Sequence, residues 1–193
     1  IWSTMMTLDK LEGGTPAIVE SIRCGLVFHV KASVGQELIQ KREHDMMQKA
    51  LTRWRKNDNI VILGDKRMGD KAERVAILSI AIRVGKLFLH HSFVVALLND
   101  FFGIQARGGC LCAGPYAQEL LGMSHDLARK YEAVLEQGHE LLRPGVVRLG
   151  FIYYFSDEIV DLIIEAVEAI AAAGWTLLPL YKLHPQSAEF SHR

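Results

Sequence analysis

Three short stretches carry residue types that can do chemistry at workable spacing. The first is Gly13-Gly14-Thr15-Pro16. Small residues there let a ligand approach the backbone, and a hydroxyl and free N–H groups at a helix start suit a phosphate. The same four residues also describe a plain capped helix after a tight turn, with Thr15 as cap and Pro16 in the first helical position. The second stretch is Arg107-Gly108-Gly109-Cys110-Leu111-Cys112-Ala113-Gly114-Pro115. An arginine beside a thiol favours the thiolate, which is the nucleophilic form. Inert buried thiols and half of a zinc site compete with that reading. Zinc takes four ligands and no second cysteine pair follows, so no metal is expected. The third is Arg148, set among Val146, Val147 and Leu149 in an apolar run. A guanidinium in such a strand needs a partner, and its fork matches a carboxylate, either a substrate's or one from elsewhere in the fold. His90 and His91 lie at a helix entrance with no carboxylate or nucleophile beside them, and read as entry residues rather than an acid or base.

The elements that must position these residues follow from periodicity. After Pro16 the apolar residues Ile18, Val19, Ile22, Leu26, Val27 and Val30 recur at three- and four-residue spacing, which predicts a helix with one buried stripe. A second helix from Gln36 to Arg55 should carry Ile39, Met46, Met47, Ala50, Leu51 and Trp54 inward and leave Lys41, Arg42, Glu43 and Asp45 to water. It ends at the turn formers Asn57, Asp58 and Asn59. Strands are expected at 60–63, 75–84, 104–107 and 146–154, with helices from Ser92 to Phe102, from Ser124, and from Ser156 to Gly174. Beyond Gly174 the chain reads as an extended tail. The composition change near residue 57 puts a boundary between 1–57 and 58–193.

Totals narrow the function classes. The 193 residues are 50% hydrophobic and 23% charged, with 22 basic against 22 acidic side chains, a balance that lacks the basic surplus nucleic acid demands. Asp161, Glu165 and Glu168 interrupt the longest apolar stretch, so no membrane span is expected. Three cysteines do not make a secreted disulfide framework, and the default compartment is the cytosol or an organelle matrix. Ile1 opens the chain without a leader pattern, so any targeting signal is expected to lie outside it.

Taken in order, Glu12-Gly-Gly-Thr-Pro16, Arg107-Gly-Gly-Cys-Leu-Cys-Ala-Gly-Pro115 and Val147-Arg-Leu-Gly-Phe151 resemble the class V aminotransferase superfamily, especially its cysteine desulfurase-like branch. The resemblance implies an α/β protein of the fold type I class of pyridoxal 5'-phosphate enzymes. Residues 1–57 would be the end of the large cofactor-binding domain and 58–193 the small α+β domain. It further implies a small amino-acid substrate and a homodimer with shared active sites. Gly14 and Thr15 would reach the neighbouring subunit's cofactor phosphate, Arg148 would bind the substrate carboxylate, and Arg107 would line the same site. Cys112 matches the cysteine that takes sulfur as a persulfide. Where desulfurases carry histidines just before it, this chain has Cys110 and Leu111, so on this resemblance Cys110 would be an accessory or resolving thiol for Cys112. The family's Schiff-base lysine lies well upstream of the Gly-Gly-Thr-Pro, and Lys10 is too close to be it. The chain is therefore expected to supply the phosphate contact and the substrate grip but not the covalent cofactor link. An aminotransferase with a structural Cys112, and a non-catalytic dimerisation or binding fragment, are the alternatives.

Overall fold

A computed structural model describes residues 14–64, 75–109 and 114–193. The chain divides into two compact units, 1–41 and 42–193. In the first, helix α1 (Ile18–Val34) starts two residues later than the Thr15 cap predicts; Ala17 is its N-cap and offers no side-chain acceptor. Gly35 closes it at φ 92°, a backbone angle glycine adopts without strain. The expected buried stripe is not observed: no residue of α1 is buried, and Ile18, Val19, Ile22, Leu26, Val27 and Val30 are all exposed. The periodicity was sufficient for a helix, and its apolar side is exposed.

Helix α2 (Gln36–Trp54) begins in the first unit and ends in the second. Its second half supplies Met46, Met47, Ala50, Leu51 and Trp54 to the core, as the spacing requires, and Ile39 is buried as well. The core lies under a sheet of β1 (Ile60–Ile62), β2 (Ile77–Val84), β5 (Val146–Gly150) and β4 (Arg107–Gly109), in that order and antiparallel throughout. The short β3 (Leu87–Phe88) pairs with β2 across a tight turn in which Gly85 takes φ 59°. Helices α3 (His91–Phe102) and α6 (Asp157–Ala173) pack with this sheet. They bury Phe93, Val94, Leu97 and Leu98 from one and Val160, Ile164, Val167 and Ile170 from the other against Leu78, Ile80, Val147 and Leu149. Between β4 and β5 run α4 (Gly114–Leu120), α5 (His125–Glu136) and a 3-10 turn, Glu140–Leu142.

Among the described residues, four ion pairs run up the facing sides of α2 and α6: Arg42 with Asp157 at 2.7 Å, Lys49 with Asp161 at 2.6 Å, Arg53 with Glu165 at 3.7 Å, and Arg53 with Glu168. Being partly solvated, they set the register of the two helices more than they add stability. The hydrogen bond from Arg42 holds the Asp157 carboxyl below the usual carboxylate range. By length and composition, Asp157–Leu180 could cross a membrane, yet Val160, Ile164, Val167 and Ile170 are committed to the core.

The extended tail expected after Gly174 is also corrected. A 3-10 turn (Gly174–Leu180) leads into a hairpin of β6 (Tyr181–His184) and β7 (Glu189–His192). Tyr181 and Phe190 each meet the Phe93 ring at 5.2 Å, so the hairpin closes one side of the core. Strand β5 stops at Gly150, short of Tyr154, and the Phe151 N–H still donates to the Ala76 carbonyl at 2.8 Å in register with the β2 ladder. The strand expected at 104–107 begins only at Arg107.

Candidate substrate groove

Register decides which side chains share a face. On β2 and β5 the pairs Leu78–Leu149 and Ile80–Val147 sit on the core side, so the alternate pair Ser79–Arg148 occupies the opposite side. On β4, Arg107 pairs with Arg148. In such a register the two Cβ atoms lie roughly 5 Å apart, and like charges directly opposite cost stability unless something negative meets them. Arg148 is half-buried and Arg107 exposed. Among the described residues, neither guanidinium has a hydrogen-bond or ion-pair partner. The structural ion pair that competed with a ligand carboxylate for Arg148 is thus not seen among these residues.

Both arginines line an open groove of about 560 Å³, together with Glu43, Gln105 and the backbone around Ala76 and Gly150. Glu43 and Gln105 are the groove residues the sequence reading missed. Glu43 was expected among the water-facing residues from Lys41 to Asp45; instead it is half-buried and faces the groove, and its neighbour Arg42 is tied to α6. A usable signal existed. The run 39, 43, 46, 47, 50 and 54 keeps helical spacing, and Glu43 is the charged member of an otherwise apolar series.

The glycines around Arg107 act by letting elements approach. A Cβ on Gly108 would stand 3.0 Å from His91 Nδ1 and 3.3 Å from Val95 Cγ2, so β4 crosses the start of α3 at a distance only glycine permits without a shift. A Cβ on Gly145 would lie 2.7 Å from the Gly109 Cα. These contacts hold β4 beside β5 and keep Arg107 opposite Arg148.

His90 and His91 secure the same corner. His90 Nδ1 accepts the Ser92 N–H at 3.2 Å as the N-cap of α3, which leaves its Nε2–H to bond the Leu141 carbonyl at 3.1 Å. His91 Nε2 bonds the Arg143 carbonyl at 3.3 Å. Burial lowers the pKa of His91 to about 4, helped by the adjacent His90 and opposed by its carbonyl bond; His90 is lowered by burial too. Both rings therefore stay neutral at pH 7 and tie α3 to the turn before β5.

Of the remaining expected site residues, Gly14 and Thr15 are exposed just before α1, with no atom within 4 Å of where a Gly14 Cβ would stand. They belong to the first unit. Gly13, Cys110 and Cys112 lie outside the described residues. Cys24, on α1, is exposed.

The Aminotransferase class-V family model matches residues 3–163. Over 106 residues, which is 55% of this chain and 23% of the relative, the sequence is 30% identical to a probable cysteine desulfurase of Halalkalibacterium halodurans. Two solved structures superpose on 84% of this chain. One is the apo cysteine desulfurase of Thermococcus onnurineus NA1, with TM-score 0.58, 22% identity and 33% of that chain covered. The other is the cysteine desulfurase CsdA of Escherichia coli, with TM-score 0.55, 21% identity and 32% covered. The chain thus spans about a quarter of the curated relative and a third of each solved structure. At these identities the superpositions establish a shared mixed α/β fold.

Proposed function

Because this chain belongs to the class V aminotransferase family, and has the fold type I architecture of its structural neighbours, we propose that it forms the substrate-gripping part of a pyridoxal-phosphate enzyme acting on a small amino acid, by C–S cleavage of cysteine. The observation that carries this reading is the pair Arg107 and Arg148, side by side across β4 and β5 in one groove, with no partner for either among the described residues. Arg148 would hold the substrate carboxylate with two parallel hydrogen bonds, and Arg107 would add a second positive charge at the groove mouth.

The residues fit a cofactor phosphate at the start of α1. Gly14 is open to close approach, Thr15 is exposed, and no side chain caps the first N–H groups of the helix. In the homodimer that this reading includes, Gly14 and Thr15 would serve the neighbouring subunit. When bound, pyridoxal phosphate supplies the electron sink for the substrate's carbon skeleton. Cys112, a few residues after Arg107, would attack the substrate sulfur as a thiolate and keep it as a persulfide.

Sulfide release from L-cysteine by the full-length protein reconstituted with pyridoxal phosphate tests the chemistry. Release in the presence of reductant that disappears in Cys112→Ser, while the visible spectrum of bound cofactor persists, is the expected result. Absence of sulfide from the unaltered protein, with amino-group exchange intact in both, would make it an aminotransferase with a structural Cys112.

A further inference from the structure

The groove that holds the two arginines contains one acid. Glu43 is placed there by its neighbour: Arg42 Nη2 donates to Asp157 Oδ1 at 2.7 Å and to the Phe155 carbonyl at 3.0 Å, which fixes the rotation of α2 about its axis. One residue further on, Glu43 lines the groove with Gln105, Arg107 and Arg148. No described residue pairs with Glu43, so its carboxylate is not spent on a structural bridge. Two guanidiniums and one carboxylate leave the groove with a single positive charge.

We propose that Glu43 is a specificity-determining residue, restricting the groove to amino acids with one carboxylate by repelling a second. The proposal rests on the reading of Arg148 as the carboxylate grip. Two adjacent guanidiniums alone would take a dicarboxylate at least as well as a monocarboxylate, since each could hold one end. With Glu43 lining the same groove as the arginines, the second carboxylate of such a ligand would meet a like charge. In a partly solvated groove, one like-charge contact at side-chain distance changes affinity on the order of tenfold. Gln105, uncharged, leaves room for a neutral polar side chain on the ligand.

The test needs no cofactor. Dissociation constants for propionate and succinate are measured by NMR titration on the 193-residue chain and on its Glu43→Gln and Arg148→Ala variants. Glu43→Gln replaces the carboxylate by an amide of the same shape, and thermal melts confirm that each variant folds. The expected result is that Glu43→Gln tightens succinate about tenfold relative to propionate, while Arg148→Ala weakens both. A succinate-to-propionate ratio unchanged in Glu43→Gln overturns the proposal; if Arg148→Ala still weakens both acids, the carboxylate grip survives that outcome. Binding of both acids undiminished in Arg148→Ala overturns the grip itself.

Discussion

Arg148 shows how one residue's meaning depends on its neighbours across a sheet. A charge inside Val147-Arg148-Leu149 is conspicuous in the sequence, and strand alternation places it on the face away from the core. If it grips a carboxylate with both arms, Arg148→Lys in the cofactor-loaded protein should raise KM for the amino acid on the order of tenfold, since an ammonium is a point donor and not a fork. Steady-state kinetics would separate that change from any in kcat. His91 offers a prediction free of the functional reading. Its folded pKa, about 4, lies below its ordinary value of 6.5. Between those values the unfolded chain binds a proton that the folded chain refuses, so this contribution to stability is complete above pH 6.5 and is lost as pH falls toward 4. Urea melts should show the midpoint dropping across that window, and NMR should find the His91 ring titrating near its lower end.

At the level of elements, β4 is the part whose position matters most, and glycines set it. Gly145→Ala would drive a methyl group into the Gly109 backbone and the His91 ring. The expected cost is about 2–3 kcal/mol, with Arg107 displaced from its place opposite Arg148. Chemical denaturation measures the first effect, and loss of propionate affinity the second. The C-terminal hairpin is the element least visible in the sequence. Its strands are four residues each, and what holds them is remote: Phe93 against Tyr181 and Phe190, and the Tyr181 hydroxyl donating to Asp100 Oδ2 at 2.7 Å. Burial, with the Asp100 carboxylate beside it, raises the pKa of the Tyr181 phenol and keeps it protonated as a donor. Tyr181→Phe should therefore cost about 1.5–3 kcal/mol, the range for a hydrogen bond to a charged acceptor, read as a lower denaturant midpoint with unchanged slope.

Over the whole molecule, the two units differ in what holds them. The unit 42–193 has a contiguous core of sheet and helices, whereas α1 buries none of its residues. Hydrogen exchange should find the slowest amides in β2, β5, α3 and α6 and much faster ones along α1. A large-to-small change such as Ile164→Ala should cost about 2–5 kcal/mol, against less than about 0.5 kcal/mol for Val27→Ala in the isolated chain. The sequence by itself was enough for the helices, whose caps and apolar spacing are local: the Ser156 cap of α6, Gly103 after α3, and the inward series on α2 all stand where periodicity puts them. It was enough, too, for Arg107 and Arg148 as candidates, because a motif is written in consecutive residues. Tertiary structure alone decided that these two arginines are cross-strand neighbours, that Glu43 shares their groove, that Gly108 and Gly145 serve close packing against His91, and that the last residues fold back as a hairpin. Each of those facts joins residues distant in the chain, and such pairings are set by register and by what covers each face, quantities that no local pattern contains.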